Sequence, residues 1–197
     1  MDGHEHYRLF IALPISDPVR REMELAQNEL RAALSSRAIR WTRPDQFHLT
    51  VKFLGDVPVD RVDLLIDFVR KACSDFSSLS LAAEGLGCFP NDRRPRVIWI
   101  GVRDNPPQLQ SLQKTIDAAT AEFGSAEREK DFKGHITIGR VKEISAFDRE
   151  TLAGLLSMHQ ARNFGTWTAN QVKIIRSELS ESGATHKDVM AIQLNAP

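Results

Sequence analysis

The chain has 197 residues, 42% of them hydrophobic, and 26 Lys and Arg balance 26 Asp and Glu, so its formal net charge is zero. That length can bury a core without cross-links, as one compact domain or two small lobes. Zero net charge argues against a long groove that coats nucleic acid, but leaves room for a pocket that takes one phosphate or one RNA end. The first six residues are charged rather than apolar, and no apolar run approaches a membrane span. A cytoplasmic protein without a signal peptide or a membrane partner is therefore expected. Cys73 and Cys88 lack metal-ligand spacing and are expected as free thiols rather than a disulfide.

Residues 8–13 (Arg-Leu-Phe-Ile-Ala-Leu) read as a short apolar strand that Pro14 ends. Ser16 and Asp17 can cap a helix opened by Pro18. Val19, Met23, Ala26, Leu30 and Ala33 recur at helical spacing, which predicts an amphipathic helix over 18–34. A short strand over 37–42, a turn at Pro44 and Asp45, and a strand over 47–54 that Gly55 and Asp56 end follow. Val62, Leu65, Ile66 and Val69 share one face of a predicted helix over 59–73, and 79–88 is the next strand. Residues 90–95 form a loop and 96–102 a strand. Asn105 can cap a helix that opens at Pro106 and Pro107, buries Leu109, Leu112, Ile116, Ala119 and Phe123, and stops at Gly124. Residues 125–133 read as a polar surface loop, 134–141 as a strand, and 146–158 as a helix capped by Ser145. A strand over 166–176, a polar turn over 177–187 and a last strand over 189–194 complete the chain.

One short pattern occurs twice. Residues 48–51 are His-Leu-Thr-Val and residues 135–138 are His-Ile-Thr-Ile. In a strand, side chains at i and i+2 share a face. His48 and Thr50 then face out together while Leu49 and Val51 face a core, and His135 and Thr137 do the same against Ile136 and Ile138. Composition alone expects about 0.05 such matches. A single His-x-Thr is more often structural, but core packing does not need the same polar pair twice. The flanking elements also correspond: Arg8 to Arg96 is an offset of 88 and His48 to His135 one of 87. The reading is an internal duplication, with repeats of about 8–88 and 96–176 plus a final strand. The fold class is α+β, as two pseudo-symmetric lobes of antiparallel sheet with outer helices around a central cleft, one motif on each side, all within a single domain over 1–197.

Two imidazoles across one centre can serve as base and acid at neutral pH. Each Thr hydroxyl can donate to an oxygen that bears negative charge. Such a set suits in-line displacement at phosphorus, and a cyclic phosphodiester fits because its leaving oxygen stays tethered. No cofactor and no metal are called for. His4-Glu5-His6 is expected as a mobile end, and His159 and His186 as surface residues. Which of His48 and His135 is acid and which is base does not follow from the pattern.

With these residues the sequence resembles the two-histidine (2H) phosphoesterases, and within them the RNA 2′,3′-cyclic phosphodiesterases once called 2′-5′ RNA ligases. The similarity extends to the opening strand over 8–13, Trp41 and Pro44, the run over 48–55, residues 85–90 and 94–99, and Arg176-Ser177-Glu178-Leu179. The resemblance implies hydrolysis of a 2′,3′-cyclic phosphate on RNA or a nucleotide to a 2′-phosphate, with reverse 2′-5′ ligation as a further activity. By the same token His48 is the proton donor, His135 the proton acceptor, and Thr50 and Thr137 bind the phosphate. Arg140, Phe10 and Phe53 are candidates for substrate binding. Strict alternation, however, turns Arg140 away from His135 and Phe53 toward the core. Lys52 and Lys133 are further candidates for a phosphate. The family usually has Pro before the second His where this chain has Gly134, which loosens that position. Alternative readings are a phosphodiesterase for another small cyclic phosphate, or a non-catalytic module that binds RNA ends. A monomer is expected.

Overall fold

The structure, a computed structural model, describes residues 5–35, 37, 39–126, 131–180 and 183–196. His4 of the expected mobile end, 127–130 of the expected loop and 181–182 of the expected turn lie outside the described residues, whereas His6, also expected in the mobile end, opens a strand and pairs with Pro58. Among the described residues there are nine strands: β1 His6–Pro14, β2 Ile39–Trp41, β3 His48–Pro58, β4 Leu79–Phe89, β5 Val97–Asp104, β6 His135–Val141, β7 Asn163–Ala169, β8 Gln171–Ser180 and β9 Gly183–Gln193. Four α-helices join them: α1 Asp17–Ala33, α2 Val62–Cys73, α3 Leu109–Ala119 and α4 Ala146–Met158. The strands form one antiparallel sheet in the order β7-β4-β5-β6-β3-β1-β8-β9, with β2 paired to β6.

Its two halves meet at β3 and β6, the two His-Thr strands, through the pair Leu49 and Ile136. Reading outward from that seam, β6 matches β3, β5 matches β1, β4 matches β8 and β7 matches β9. The chain exchanges strands to achieve this. β4 follows the first motif yet pairs with β5 and β7, and β8 comes late yet pairs with β1. The predicted strand over 166–176 is therefore two strands, broken between Ala169 and Gln171, which lie in opposite halves of the sheet.

The buried stripes of α1 to α4 share one core with Leu49, Val51, Ile136 and Ile138. Phe10, Ala12 and Ile175 form a separate small cluster outside that core. Ser145 caps α4, its hydroxyl accepting from Asp148 N at 3.0 Å. α3 starts at Leu109, not at Pro106, because the Asp104 carboxylate accepts the amides of Gln108 and Leu109. It ends at Ala119, before Phe123. The polar stretch over 177–187 is largely strand: β8 and β9 pair from Gln171 and Gln193 to Ser180 and Gly183, with one register shift between Ile174 and Ile175. Cys73 and Cys88 are free. Among the described residues no helix is long and apolar enough to cross a membrane.

Candidate active site

His48 and His135 each open a strand, and each is held by the same local device. His48 Nδ1 lies 2.7 Å from the carbonyl of Gln46, and His135 Nδ1 lies 2.7 Å from the carbonyl of Lys133. A carbonyl only accepts, so Nδ1 carries the hydrogen and Nε2 is left with a lone pair for chemistry. The carbonyl sits two residues back in both cases, so the ring is oriented by its own chain. In the register of Leu49 with Ile136, the line of His48 runs to Thr137 and the line of Thr50 to His135. Each motif's histidine is thus set against the other motif's threonine.

A second shared device follows each threonine. Between β1 and β3, Ala12 pairs with Thr50 but Ile11 with Lys52, so Val51 is skipped. Between β5 and β6, Trp99 pairs with Thr137 but Ile98 with Gly139, so Ile138 is skipped. A bulge resets which face a side chain takes. It brings the residue five after each histidine, Phe53 and Arg140, to the same side as the His-Thr pair, and both line the cavity. Phe53 is 55% exposed. The bulge at Ile138 is secured from the core side: its carbonyl accepts from Thr42 N at 3.0 Å and from the buried Gln27 amide at 2.7 Å.

The cavity has a volume of about 500 Å³ and is lined by His48, Thr50, Thr137, Phe53 and four arginines: Arg8, Arg40, Arg43 and Arg140. His135 is not among its lining residues, though its charge reaches His48. It packs edge-on against Phe89 at 5.0 Å, with Trp99 at 6.5 Å. Phe10 lines the cavity but is only 4% exposed. Its ring lies 4.8 Å from His48 and 6.1 Å from Phe53, so it braces the histidine and has little face left for a base. Burial pushes the His48 imidazole down to about 4, the Gln46 carbonyl opposing this, and the charges of His186, Arg140 and His135 add to the fall.

The model of the family described as LigT like Phosphoesterase matches the chain twice, over residues 13–99 and 100–185. The chain belongs to this family of 2H phosphoesterases. A Methanothermobacter thermautotrophicus protein named RNA 2′,3′-cyclic phosphodiesterase is 30% identical over 187 residues, 95% of this chain and 98% of that one. An Archaeoglobus fulgidus protein of the same name is 28% identical over 94% of this chain and 99% of its own. Two solved structures share the fold. A Thermus thermophilus protein has a TM-score of 0.78 at 24% identity, covering 96% of this chain and 98% of its own. Escherichia coli LigT complexed with 3′-AMP has a TM-score of 0.75 at 20% identity, covering 96% and 99%.

Several expectations change against the 2H scaffold. Lys52 holds no phosphate: the bulge sends it to the helix side, where Nζ meets the Asp117 carboxylate at 2.9 Å and the carbonyls of Asp117 and Thr120 at 3.0 and 3.3 Å. Lys133 is exposed, and its carbonyl anchors His135. Gly134 is not loose. Its carbonyl accepts from Val102 N at 2.9 Å, and a Cβ there would lie 3.0 Å from Leu109 and from the Val102 carbonyl. His159 lies 3.5 Å from Glu29, and its side chain is only 17% exposed. His186, expected at the surface, is in the cleft, 5.3 Å from His48. A polar stretch reads as a turn, so its pairing into a hairpin left no signal in the local pattern. Among the described residues no group of three or more His, Cys, Asp or Glu is arranged to hold a metal ion.

Proposed function

We propose that this chain hydrolyses the 2′,3′-cyclic phosphate of RNA ends or nucleotides to a 2′-phosphate, without a metal, by two-histidine acid-base catalysis. The supporting observation is the pair of imidazoles on adjoining strands, each fixed through Nδ1 to a carbonyl two residues back, beside two threonines. The names of the relatives add weight. His135 Nε2 takes a proton from water as its oxygen attacks phosphorus. The bond from phosphorus to the 3′ oxygen breaks in line, and His48 Nε2 gives that oxygen a proton. Thr50 and Thr137 donate to the non-bridging oxygens, where charge accumulates. His48 is neutral in the free protein at pH 7, so on this reading it takes up its proton as the phosphate anion arrives, because a nearby anion favours the charged imidazole. Arg140 supplies charge to the phosphate and Phe53 a stacking face to the base, while Phe10 acts from beneath His48. Reverse 2′-5′ ligation uses the same groups in the opposite sense.

The chain acts on this reading as one unit built from a repeat over 8–88 and 96–176, supported by the double family match. A cytoplasmic monomer goes with it. The test is hydrolysis, in EDTA, of a short RNA that ends in a 2′,3′-cyclic phosphate, with 2′- and 3′-phosphate products resolved. A 2′-phosphate is expected. Turnover only with added metal overturns the mechanism, and no turnover points to another cyclic phosphate or to a binding module.

A further inference from the structure

The end of the β8–β9 hairpin forms part of the cleft, with Ser177, Ala184 and His186 lining the cavity. It is tied to the first histidine in two ways. Gln46 accepts from His48 Nδ1 at 2.7 Å through its main-chain carbonyl, and its side-chain Nε2 donates to the Ala184 carbonyl at 2.6 Å. Two residues along, the His186 ring stands edge-on to both His48, at 5.3 Å and 72°, and Phe10, at 5.0 Å and 68°. Phe10 is tilted only 30° from the His48 plane. The His48 ring is therefore covered by one aromatic ring and abutted by a second, while its Nδ1 is held by a residue latched to the same hairpin.

Building on the phosphodiesterase reading of this cleft, we propose that His186 is a positioning residue for His48, its ring holding the His48 imidazole in the orientation that sends Nε2 into the cleft. On the opposite wall, among the described residues, the rings that flank His135 are Phe89 and Trp99. The rings that flank His48 thus differ in kind, since one of them titrates. The groups that face His186 are His48 from β3 and Asp45 from the turn at Pro44–Gln46. Asp45 is itself held by Arg43 at 2.6 and 3.0 Å. On the hairpin, Lys187 pairs with Glu178 at 2.8 Å. When His186 is charged, it opposes a proton on His48.

The experiment compares the full chain with His186→Ala and His186→Phe. It reads kcat and KM on a short RNA with a 2′,3′-cyclic phosphate end, and the NMR titration of the His48 ring without substrate. His186→Ala is expected to lower kcat about 30-fold, because an unbraced catalytic group is misplaced, with KM within about threefold. His186→Phe restores the ring and is expected to recover to within about threefold of the parent. The His48 titration is expected to move up by about half a unit or more in both variants, since a like charge has gone. His186→Phe keeps the test open if His186→Ala fails to fold. Equal kcat losses in both variants would overturn the proposal, since the imidazole itself would then be required. So would a folded His186→Ala with kcat within about threefold of the parent, since the ring would then brace nothing. An inactive parent chain would break the substrate reading alone, and a shift of the His48 ring resonances in His186→Ala that is reversed in His186→Phe would still decide the role of His186.

Discussion

The two walls of the cleft can be laid over one another strand by strand. On each, a histidine opens a strand, gives its Nδ1 hydrogen to the carbonyl two residues back, and is followed by Thr at the second position and a skipped residue at the third. The floors correspond as well. Phe10 pairs with Phe53 as Val97 pairs with Arg140, and Ala12 pairs with Thr50 as Trp99 pairs with Thr137. Ile175 stands beside Phe10 as Phe89 stands beside Val97. Bulk has changed places: a large ring at Phe10 with small Ala12 on one wall, small Val97 with a large ring at Trp99 on the other. The backbone geometry is duplicated while the surroundings of the two imidazoles are not. His48 sits against Phe10 and a third imidazole, whereas His135 sits against two apolar rings. Equal geometry with unequal surroundings is a way to give two copies of one residue opposite tasks.

That comparison can be broken at the threonines first. Thr50→Val and Thr137→Val should each lower kcat about 100-fold, since each removes one donor to the charged oxygens. A loss confined to one of them would end the equivalence of the motifs. The residues delivered by the bulges should separate by chemistry. Phe53→Ala should raise KM about 10-fold on substrates that carry a base, through lost stacking. Arg140→Gln should raise KM about 10-fold as well, but with a weaker dependence on salt. Steady-state kinetics at two ionic strengths checks both.

The burial of His48 predicts a pH effect on stability. An unfolded imidazole takes its proton near 6.5, whereas folded His48 does so only near 4. The unfolded chain therefore binds more protons between these values. The contribution is fully present above about pH 6.5 and is lost progressively as the pH falls from there through 4, on the order of 3 kcal/mol in all. Denaturant titrations between pH 4 and 7 should show a shallower slope in His48→Gln. The smallest effect is expected at Lys52, which serves the fold alone. Lys52→Met should cost about 2 kcal/mol of stability from lost charge-assisted hydrogen bonds, with kcat and KM unchanged.

Much of this was legible in the chain. The period-2 pattern of both motifs, the helical stripes on α1 and α2, and the offset between halves follow from local spacing, and local spacing is what those elements obey. Phe53 and Arg140 were legible as residues but not as neighbours of the histidines. A bulge is defined by what the partner strand pairs with, and alternation along one strand cannot count a skipped residue. Gly139, where a Cβ would lie 3.0 Å from Ile39 and Trp41, is one trace of the bulge that the sequence does carry. His186 was missed for the same reason on a larger scale, because its place depends on the pairing of β8 with β9 and of β8 with β1. Gln27, fully buried on α1, carries no local signal of its role, which is to donate to the Ile138 carbonyl across the core.

The division of labour between the walls is tested most directly with a nucleotide 2′,3′-cyclic phosphorothiolate that has sulfur in place of the bridging 3′ oxygen. A thiolate leaves without taking a proton, so an acid at that position becomes dispensable. The account predicts that His48→Ala hydrolyses this substrate within about 10-fold of the parent chain, while His135→Ala stays about 1,000-fold down. Equal losses in the two variants, or rescue of His135→Ala instead, would contradict it.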